Sequence, residues 1–539
     1  MKLKKRLKNF KLLLVNHPWL NYIILFFISF LFFTIILANP TFADPDSFYH
    51  AKIATLIKDQ GIVFDFPYLQ FTTLKNDFAD HHFLYHLLLV PFIIFLDPLL
   101  GLKLATIFFS TLAIVIFYWL LKKFKIKGAW IYTLILLVTN PFIFRLNLAK
   151  AQALVLIAIF LAIYLICQRK YWYLFLLSFF FVWLYGGWPL MLVVTVFYII
   201  ASYLPGIKLK TKDKKQKICR LFISWYHKSN TRKLTVQNIK LLFAVSTGLL
   251  TGLIINPYFS KNLHFYWQQI VQIAVINYQK LIGVGGEWYP YNFFELVASS
   301  SIAFILLITG LTLFVLYFKK QTTLSWTFLL LSAFFLILTL KSRRNVEYLI
   351  PVIIIFSALN INLFLSAAEF KVFFKDFKKF ISQKEIVLLG FIIPIILLSH
   401  VVYRDIKSVF QDHQHGFSFN QFKQSSEWLK NNSQPGQIVF HSDWDEFPLL
   451  FYHNHSNYYL VGLDPTFMYN YNKDLYRQWH NITIGQETQN LYPIIKNEFG
   501  ADFVFVDLES HQLLDRNLGN NFYFEKVYED FEAVIYRVN

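Results

Sequence analysis

The chain has 539 residues, of which 56% are hydrophobic and only 15% charged, a composition that excludes an ordinary soluble protein. The formal net charge of +19 is carried mainly by short loops between apolar blocks, where Lys and Arg set membrane topology, so no nucleic-acid partner is expected. The only cysteines are Cys167 and Cys219, which excludes a disulfide framework and a thiolate metal site.

The uneven hydrophobicity predicts two domains. Residues 1–403 have the pattern of a polytopic α-helical membrane domain, and residues 404–539 that of a soluble α/β domain. Eleven apolar blocks are long enough, or nearly so, to cross a bilayer. They lie at 19–38, 102–121, 129–144, 152–167, 171–184, 188–204, 240–256, 297–317, 323–340, 346–366 and 385–403.

Charge bias predicts the orientation of these spans. The N-terminal run MKLKKRLKNF is basic, and the loops after the even-numbered spans carry Lys and Arg clusters at 122–127, 169–170, 208–240, 319–320 and 371–384. Because such clusters stay in the cytoplasm, we expect a multi-pass protein of the cell membrane with a cytoplasmic N-terminus. Outer loops 39–101 and 257–296 and the C-terminal domain then lie outside. A further apolar block, 82–100, must lie along or dip into the interface, since a crossing would reverse every later loop.

The first outer loop opens with ADPDSFYH, which places Asp44 and Asp46 two residues apart directly after a span. Carboxylate oxygens of this kind suit Mg²⁺ or Mn²⁺. The alternative is that Asp46 caps a helix that starts near Ser47.

Farther along this loop, NDFADHHFLYH brings Asp77, Asp80, His81, His82 and His86 close together in sequence. His82 and His86 share one helical face, just after Asp80, which is compatible with a metal or phosphate site. The alternative is an amphipathic anchor at the membrane interface, where His and aromatic residues are common.

The second outer loop contains GVGGEWYPYNFF, where glycines surround a single acid, Glu287. Such an acid can act as a mobile ligand or base. Arg343 and Arg344 lie at the outer end of a later span, where guanidinium groups can bind phosphate. Snorkelling is the alternative, but an outer position against the charge bias favours function.

The C-terminal domain contains SSEWLKNNSQPGQIVFHSDWDEF, which predicts an amphipathic helix, a Pro435-Gly436 turn and a short strand before Asp443, Trp444 and Asp445. These residues would present carboxylates and an indole donor at the carboxyl end of a strand. ADFVFVDL and EAVIYRV predict two more strands.

Five short motifs, in order along the chain, resemble the C-type glycosyltransferase fold and, within it, the catalytic subunit of oligosaccharyltransferase. The resemblance covers most of the chain. The matching segments are the acidic run Asp44 to Tyr49, the WLYGGW element Trp183 to Trp188, the loop acid Glu287, the lipid-phosphate arginine Arg344 with Pro351 seven residues on, and Asp443-Trp444-Asp445 preceded by Trp428-Leu429-Lys430.

The resemblance implies transfer of a glycan from a polyprenyl phosphate or pyrophosphate carrier. It implies a catalytic set, a donor-phosphate set and an acceptor-binding set, and these are Asp44, Asp46 and Glu287, then Arg344, Arg343 and Lys150, then Trp444, Asp445 and Asp443. A divalent metal, Mg²⁺ or Mn²⁺, would lie between the two aspartates and Glu287.

Two departures from the family pattern matter. Where the family has a second acidic motif, the segment 145–152 (RLNLAKAQ) carries Lys150 and no carboxylate. Either Asp80 and His82 complete the metal ligands, or Lys150 takes over part of the metal's work by neutralising phosphate. The acceptor motif is DWD rather than WWD.

The expected activity is therefore glycan transfer from a polyprenyl-linked donor to an extracytoplasmic acceptor, with protein Asn as the narrower expectation. The alternative is the same fold using a polyprenyl-phosphate monosaccharide to modify a lipid, a polysaccharide or Ser/Thr. A transporter is disfavoured, because the spans carry few internal charges and no evident pair of interrupted repeats.

Overall fold

A computed structural model of the chain describes residues 16–205, 231–367, 370 and 393–539. The described part is mostly helical. Before the C-terminal sheet, helices α1 to α17 lie in order at Trp19–Ile36, Asp46–Gln60, Leu74–Asp77, Phe83–Ile93, Pro98–Lys123, Ala129–Leu136, Asn140–Leu146, Gln152–Cys167, Tyr171–Leu184, Leu190–Ser202, Thr231–Ile254, Lys261–Tyr266, Phe293–Ser299, Ser301–Leu316, Thr323–Lys341, Val346–Leu365 and Ile393–Gln414.

The apolar helices make this a multi-pass membrane protein. In the described ranges, five helices (α1, α5, α11, α15 and α16) are long and apolar enough to cross a membrane, and seven spans result if the bent pairs α6/α7 and α13/α14 each count as one. The predicted number of about eleven is not confirmed, because α8, α9 and α10 are shorter than the ~20 residues that a bilayer requires. The predicted block 385–403 lies partly outside the described residues.

The apolar block 82–100 forms helix α4 and the loop that leads into α5. Eleven residues of α-helix cover about 16 Å, roughly half of a bilayer's hydrocarbon core. Pro91 lies inside this helix, and Pro98 begins the next one. Helix α4 alone is therefore shorter than a bilayer span, and the placement of the block along or dipping into the interface stays a prediction.

Helices α9 and α11 pack closely through two glycines. Gly248 and Gly252 are four residues apart on one face of α11, a spacing that lets helix backbones approach each other. A Cβ on Gly252 would lie 2.6 Å from the carbonyl oxygen of Phe179, and Gly248 meets Phe175 in the same way. The indole of Trp183 also donates to the carbonyl oxygen of Gly252 at 2.9 Å. No larger residue fits at either position without separating the helices.

The C-terminal part contains a five-stranded sheet with the order β4-β3-β5-β7-β6. Strand β3 is parallel to β4 and β5, whereas β7 is antiparallel to β5 and β6. The strands are β3 Ile438–His441, β4 Tyr458–Tyr459, β5 Ala501–Asp507, β6 Phe524–Glu529 and β7 Ala533–Val538, and the helices are α18 Lys423–Asn432, α19 Phe447–His453, α20 Thr466–Tyr471, α21 Lys473–Thr483 and α22 Gln512–Gly519. Helix α17 runs across residue 403, so the division at 403/404 stays a prediction.

Backbone pairing joins the first outer loop to this C-terminal part. Strand β1 (Thr41–Phe42) pairs antiparallel with β2 (Phe417–Ser418). Farther along the loop, the amide of Gln70 donates to the carbonyl of Tyr459 at 2.9 Å, and the amide of Tyr459 donates to the carbonyl of Tyr68 at 2.8 Å. The segment that follows β1, which carries the two predicted aspartates, is thereby fixed beside the C-terminal sheet.

We expect Gly252→Val to lower the thermal stability of the purified protein in detergent, by about 1–3 kcal/mol, because the added methyl groups overpack the α9/α11 contact. The matched control is Gly283→Val, since a Cβ there meets no atom within 4 Å. Equal melting temperatures for the two variants would contradict this packing.

Candidate functional site

A cavity of about 880 Å³ lies where the outer loops meet the C-terminal part. Its wall collects charged residues from seven separate stretches of the chain, together with Trp288 and Trp444. The charged side chains of the wall include Asp44, Asp46, Arg145, Lys150, Glu287, Arg344, Asp445 and Asp464. A smaller cavity of about 90 Å³ shares Asp46, Lys150, Glu287 and Arg344 with it and extends toward the histidines of the first loop.

The two aspartates of the first loop hold Lys150 between them. The Lys150 ammonium lies 2.7 Å from Asp44 Oδ2 and 2.8 Å from Asp46 Oδ2. Burial raises the pKa of Asp46 to about 6, because Asp44 reinforces the burial and Lys150 offsets only part of it. Burial opposes the charge on Lys150, but the two aspartates outweigh it and raise the pKa of the ammonium.

Asp46 does not cap the helix. It is the first residue of α2, and the carboxylate of Asp44 accepts a hydrogen bond from the Asp46 amide at 2.9 Å instead. The capping alternative for Asp46 is therefore wrong, and its side chain is available to the cavity.

Glu287 lies on a short 3₁₀ turn, Gly286–Trp288, that is tied to the arginine turn Arg343–Asn345. Ser342 Oγ donates to the Glu287 carbonyl at 2.9 Å, and the Arg343 amide donates to the Tyr289 carbonyl at 3.0 Å. These contacts fix the backbone that carries the acid beside the predicted phosphate-binding arginine.

The carboxylate of Glu287 is bound by two guanidinium groups. Arg344 Nη1 lies 3.2 Å from Oε1, and Arg145 Nη1 donates to Oε2. Burial opposes ionisation of this carboxylate, but the two arginines hold its pKa well below the usual range. Glu287 is therefore an anion that occupies an anion-binding site.

Each arginine has further partners that fix its position. Arg344 Nη2 donates to Tyr185 Oη at 3.2 Å, and its guanidinium lies 4.2 Å from the ring centre of Trp288. Arg145 Nε donates to Glu347 at 2.8 Å. Among the described residues, Arg145 Nη2 is buried without a hydrogen-bond partner, a spare donor at the cavity wall.

Arg343, another of the three residues predicted to bind the donor phosphate, is more peripheral. Its side chain is 46% exposed and lies 3.5 Å from Glu295, and it borders the mouth of the cavity.

The three residues of the predicted acceptor motif do not all line the cavity. Trp444 and Asp445 line the cavity, and the indole of Trp444 packs beside Gly285 of the second outer loop. Burial raises the pKa of Asp445 well above its usual range, and Asp443, Asp46 and Asp44 add to the effect. Asp443 instead starts the turn, accepting from the Asp445 amide at 3.2 Å, and is not part of the cavity wall.

The predicted metal ligands do not form one ligand shell. Asp80 Oδ2 lies 2.6 Å from His86 Nδ1, whose ring continues to His50 at 2.8 Å, while His82 Nδ1 lies 3.1 Å from the Leu184 carbonyl. Asp80, His86 and His50 thus form a hydrogen-bonded chain, and the ring of His82 is bound separately. In the part of the chain that the structure describes, no group of three or more His, Cys, Asp or Glu side chains could hold a metal ion. The residues present therefore do not fit the metal that the family resemblance implied.

Three cavity or supporting residues escaped the sequence interpretation. Arg145 follows a predicted span on the side that the charge bias predicts to face outward, which is the signal that singled out Arg344. Its buried partner is Glu347 in the first turn of α16. Asp464 follows Leu463, whose φ of 66° is unusual for a branched residue. Burial raises the pKa of Asp464 to about 6. Its Asp-Pro turn repeats the Asp-Pro of the first loop and was a readable signal.

The sequence matches no protein-family model and no curated protein. Solved structures do share the fold. The archaeal oligosaccharyltransferase AglB from Archaeoglobus fulgidus, in complex with an inhibitory peptide and a dolichol-phosphate, is 12% identical, with a TM-score of 0.59 over 96% of this chain and 74% of that one. ArnT from Cupriavidus metallidurans, bound to undecaprenyl phosphate, is 12% identical, with a TM-score of 0.53 over 96% of this chain and 98% of that one.

A third match is the arabinofuranosyltransferase AftD from Mycobacteria, 11% identical, with a TM-score of 0.51 over 96% of this chain and 40% of that one. All three are C-type glycosyltransferases, so the resemblance to this superfamily is confirmed at the level of the fold.

His511 provides a pH test of the turn that begins at Asp443. Its Nε2 lies 3.7 Å from Asp443 Oδ2. Burial opposes protonation of the ring, but Asp443 and Glu446 raise its pKa from 6.5 to about 9. Because the folded-state pKa exceeds the unfolded one, this ion pair stabilises the protein fully below about pH 6.5, and the stabilisation is lost as the pH rises through about 9.

We expect the melting temperature of the parent protein to fall more over this pH range than that of His511→Gln, which lacks the titrating group. Parallel curves for the two proteins would show that His511 is not protonated against Asp443.

Proposed function

We propose that this chain is a glycosyltransferase that moves a glycan from a polyprenyl-(pyro)phosphate carrier to an acceptor outside the cytoplasm. The observation that carries the proposal is a single cavity whose wall holds both Arg145 and Arg344 and the carboxylates of Asp44 and Asp46. Displacement at an anomeric carbon requires both functions, charge stabilisation of the departing phosphate and a group that accepts the acceptor's proton. The fold supports it, since AglB and ArnT were each solved with a polyprenyl phosphate.

The donor phosphate would compete with Glu287 for the same guanidinium groups. Arg344 and Arg145 bind this carboxylate now, and Arg145 Nη2 offers one more donor. A phosphate with more anionic oxygens gains more from two guanidiniums than one carboxylate does. Donor binding would therefore release Glu287 toward the acceptor.

In the transfer step, the acceptor's nucleophilic atom bonds to the anomeric carbon while the bond from that carbon to the phosphate oxygen breaks. The bonding electron pair leaves with the phosphate, where Arg344 and Arg145 stabilise the charge. The acceptor's proton passes to a carboxylate, and Asp46, with a pKa of about 6, is ionised at neutral pH yet basic enough to accept it. Trp444 and Asp445 would position the acceptor on the C-terminal side of the cavity.

Protein Asn is the narrower acceptor that we propose, since the Trp444–Asp445 turn borders the cavity. The second candidate, a lipid, polysaccharide or Ser/Thr acceptor with a polyprenyl-phosphate monosaccharide donor, is favoured by the position of Asp443, whose carboxylate does not line the cavity. The proposed setting is the cell membrane, with a cytoplasmic N-terminus and the cavity outside.

The test is transfer by the purified protein in detergent, from extracted polyprenyl-linked sugars, to a fluorescent Asn-x-Thr peptide or to a crude lipid and polysaccharide fraction. Glycopeptide supports the Asn acceptor, and transfer only to the other fraction supports the second candidate. Uptake of sugar into proteoliposomes without any covalent product would indicate a transporter and contradict the proposal.

We expect Glu287→Gln and Arg344→Gln each to lower kcat by about 10²-fold or more, because the first removes the carboxylate that is released toward the acceptor and the second removes a charge that stabilises the departing phosphate. The matched control is Asp77→Asn, an exposed acid of the first loop that pairs with His264 at 2.9 Å and lies outside the cavity wall. This control should stay within about twofold of the parent. Full activity of both cavity variants would remove the site assignment.

A further inference from the structure

Lys150 occupies the position that a divalent cation would need. Its ammonium lies within 2.8 Å of one oxygen of each aspartate, and its side chain is only 10% exposed. The other oxygen of Asp44 already accepts the Asp46 amide. We propose that Lys150 is a built-in cation that replaces a divalent metal at the aspartate pair, so that this transferase works without one. This inference rests on the proposed function.

Geometry argues against a metal beside Lys150. Mg²⁺ would have to lie about 2.1 Å from the same carboxylate oxygens and would require near-octahedral oxygen coordination. The ammonium already takes Asp44 Oδ2 and Asp46 Oδ2 as hydrogen-bond acceptors. A metal here would also place two positive charges next to each other in a poorly hydrated wall. The Lys150 ammonium would have to move away from the two aspartates before a metal could bind there.

The remaining predicted ligands are committed elsewhere. Glu287 is bound by Arg145 and Arg344, and Asp80 is bound by His86 at 2.6 Å. The protein therefore supplies its own positive charge around the cavity, through one ammonium and two guanidiniums. In the proposed function the two guanidiniums bind the phosphate, whereas the Lys150 ammonium binds the two aspartates.

The backbone holds Lys150 in this role. It lies in the short turn between α7 and α8, where its amide donates to the Leu148 carbonyl at 2.7 Å. Its neighbours Ala149 and Ala151 are each 1% exposed. The side chain therefore enters the cavity from a packed turn, and its ammonium reaches the aspartates without a mobile loop. Lys150 acts through Asp44 and Asp46 as a positioning residue that keeps them ionised and oriented.

The test converts the resident cation into a third acid. Lys150→Asp would add a third carboxylate to the cavity wall beside Asp44 and Asp46, and such an oxygen donor set suits Mn²⁺. Lys150→Met is the matched control, since it keeps the length of the side chain and adds no ligand. Binding of Mn²⁺ by the full-length protein in detergent is followed by electron paramagnetic resonance and by the shift in melting temperature.

We expect the parent and Lys150→Met to bind no Mn²⁺ at about 0.1 mM, and Lys150→Asp to bind one ion per chain. In the transfer assay, the parent should be unaffected by a chelator. Lys150→Met should lose about 10²-fold in kcat with or without Mn²⁺. Lys150→Asp should require Mn²⁺ for whatever activity it retains.

The inference is overturned if the parent binds one Mn²⁺ that Asp46→Asn abolishes, or if a chelator abolishes parent activity and Mn²⁺ restores it. The Mn²⁺-binding measurement requires no turnover. It therefore tests whether Lys150 takes the place of a metal even if no sugar transfer is found and the proposed function fails. If Lys150→Asp does not fold, the binding of Mn²⁺ to the parent and to Asp46→Asn still tests the inference.

Discussion

The site depends on one constraint, the mutual compensation of buried charges contributed by segments far apart in sequence. Glu287 is bound by Arg145 and Arg344, and Arg145 is also held by Glu347. Removing one member of such a network leaves an uncompensated charge, which costs far more than the pair contributes. The ion pairs of Glu287 therefore hold the second outer loop against the helical part. A ligand that competes for the guanidiniums would weaken that contact.

The second determinant is backbone pairing. The β1/β2 pair and the contacts of residues 68–70 with Tyr459 fasten the first outer loop to the C-terminal sheet. The acids that follow β1 and the turn that carries Trp444 then line the same cavity. Because residues 44–46, 145–150, 287, 344 and 445 all lie at one cavity, their loops share one side of the helical part. That this side faces away from the cytoplasm stays a prediction from the charge bias of the loops.

Much of this arrangement could be predicted from local pattern. Apolar blocks predicted the helices, alternation predicted β3, β5 and β7, and loop position predicted that Asp44, Glu287 and Arg344 would meet. Local pattern could not predict which side chains form hydrogen bonds or ion pairs with one another. Asp80 and His82 have metal-ligand spacing, yet burial pairs the acid with His86 and the histidine with a carbonyl. Arg145 escaped because its role depends on a partner 142 residues away. The predicted span number is not confirmed, because α8, α9 and α10 are shorter in the described part of the chain than a bilayer crossing requires.

The most direct measurement is a cryo-electron microscopy structure of the full-length protein with bound polyprenyl phosphate. We expect phosphate density between Arg145 and Arg344, with the Glu287 carboxylate displaced from both guanidiniums and Lys150 still between Asp44 and Asp46. Phosphate bound elsewhere, with the contacts of Glu287 to both arginines unchanged, would contradict this expectation.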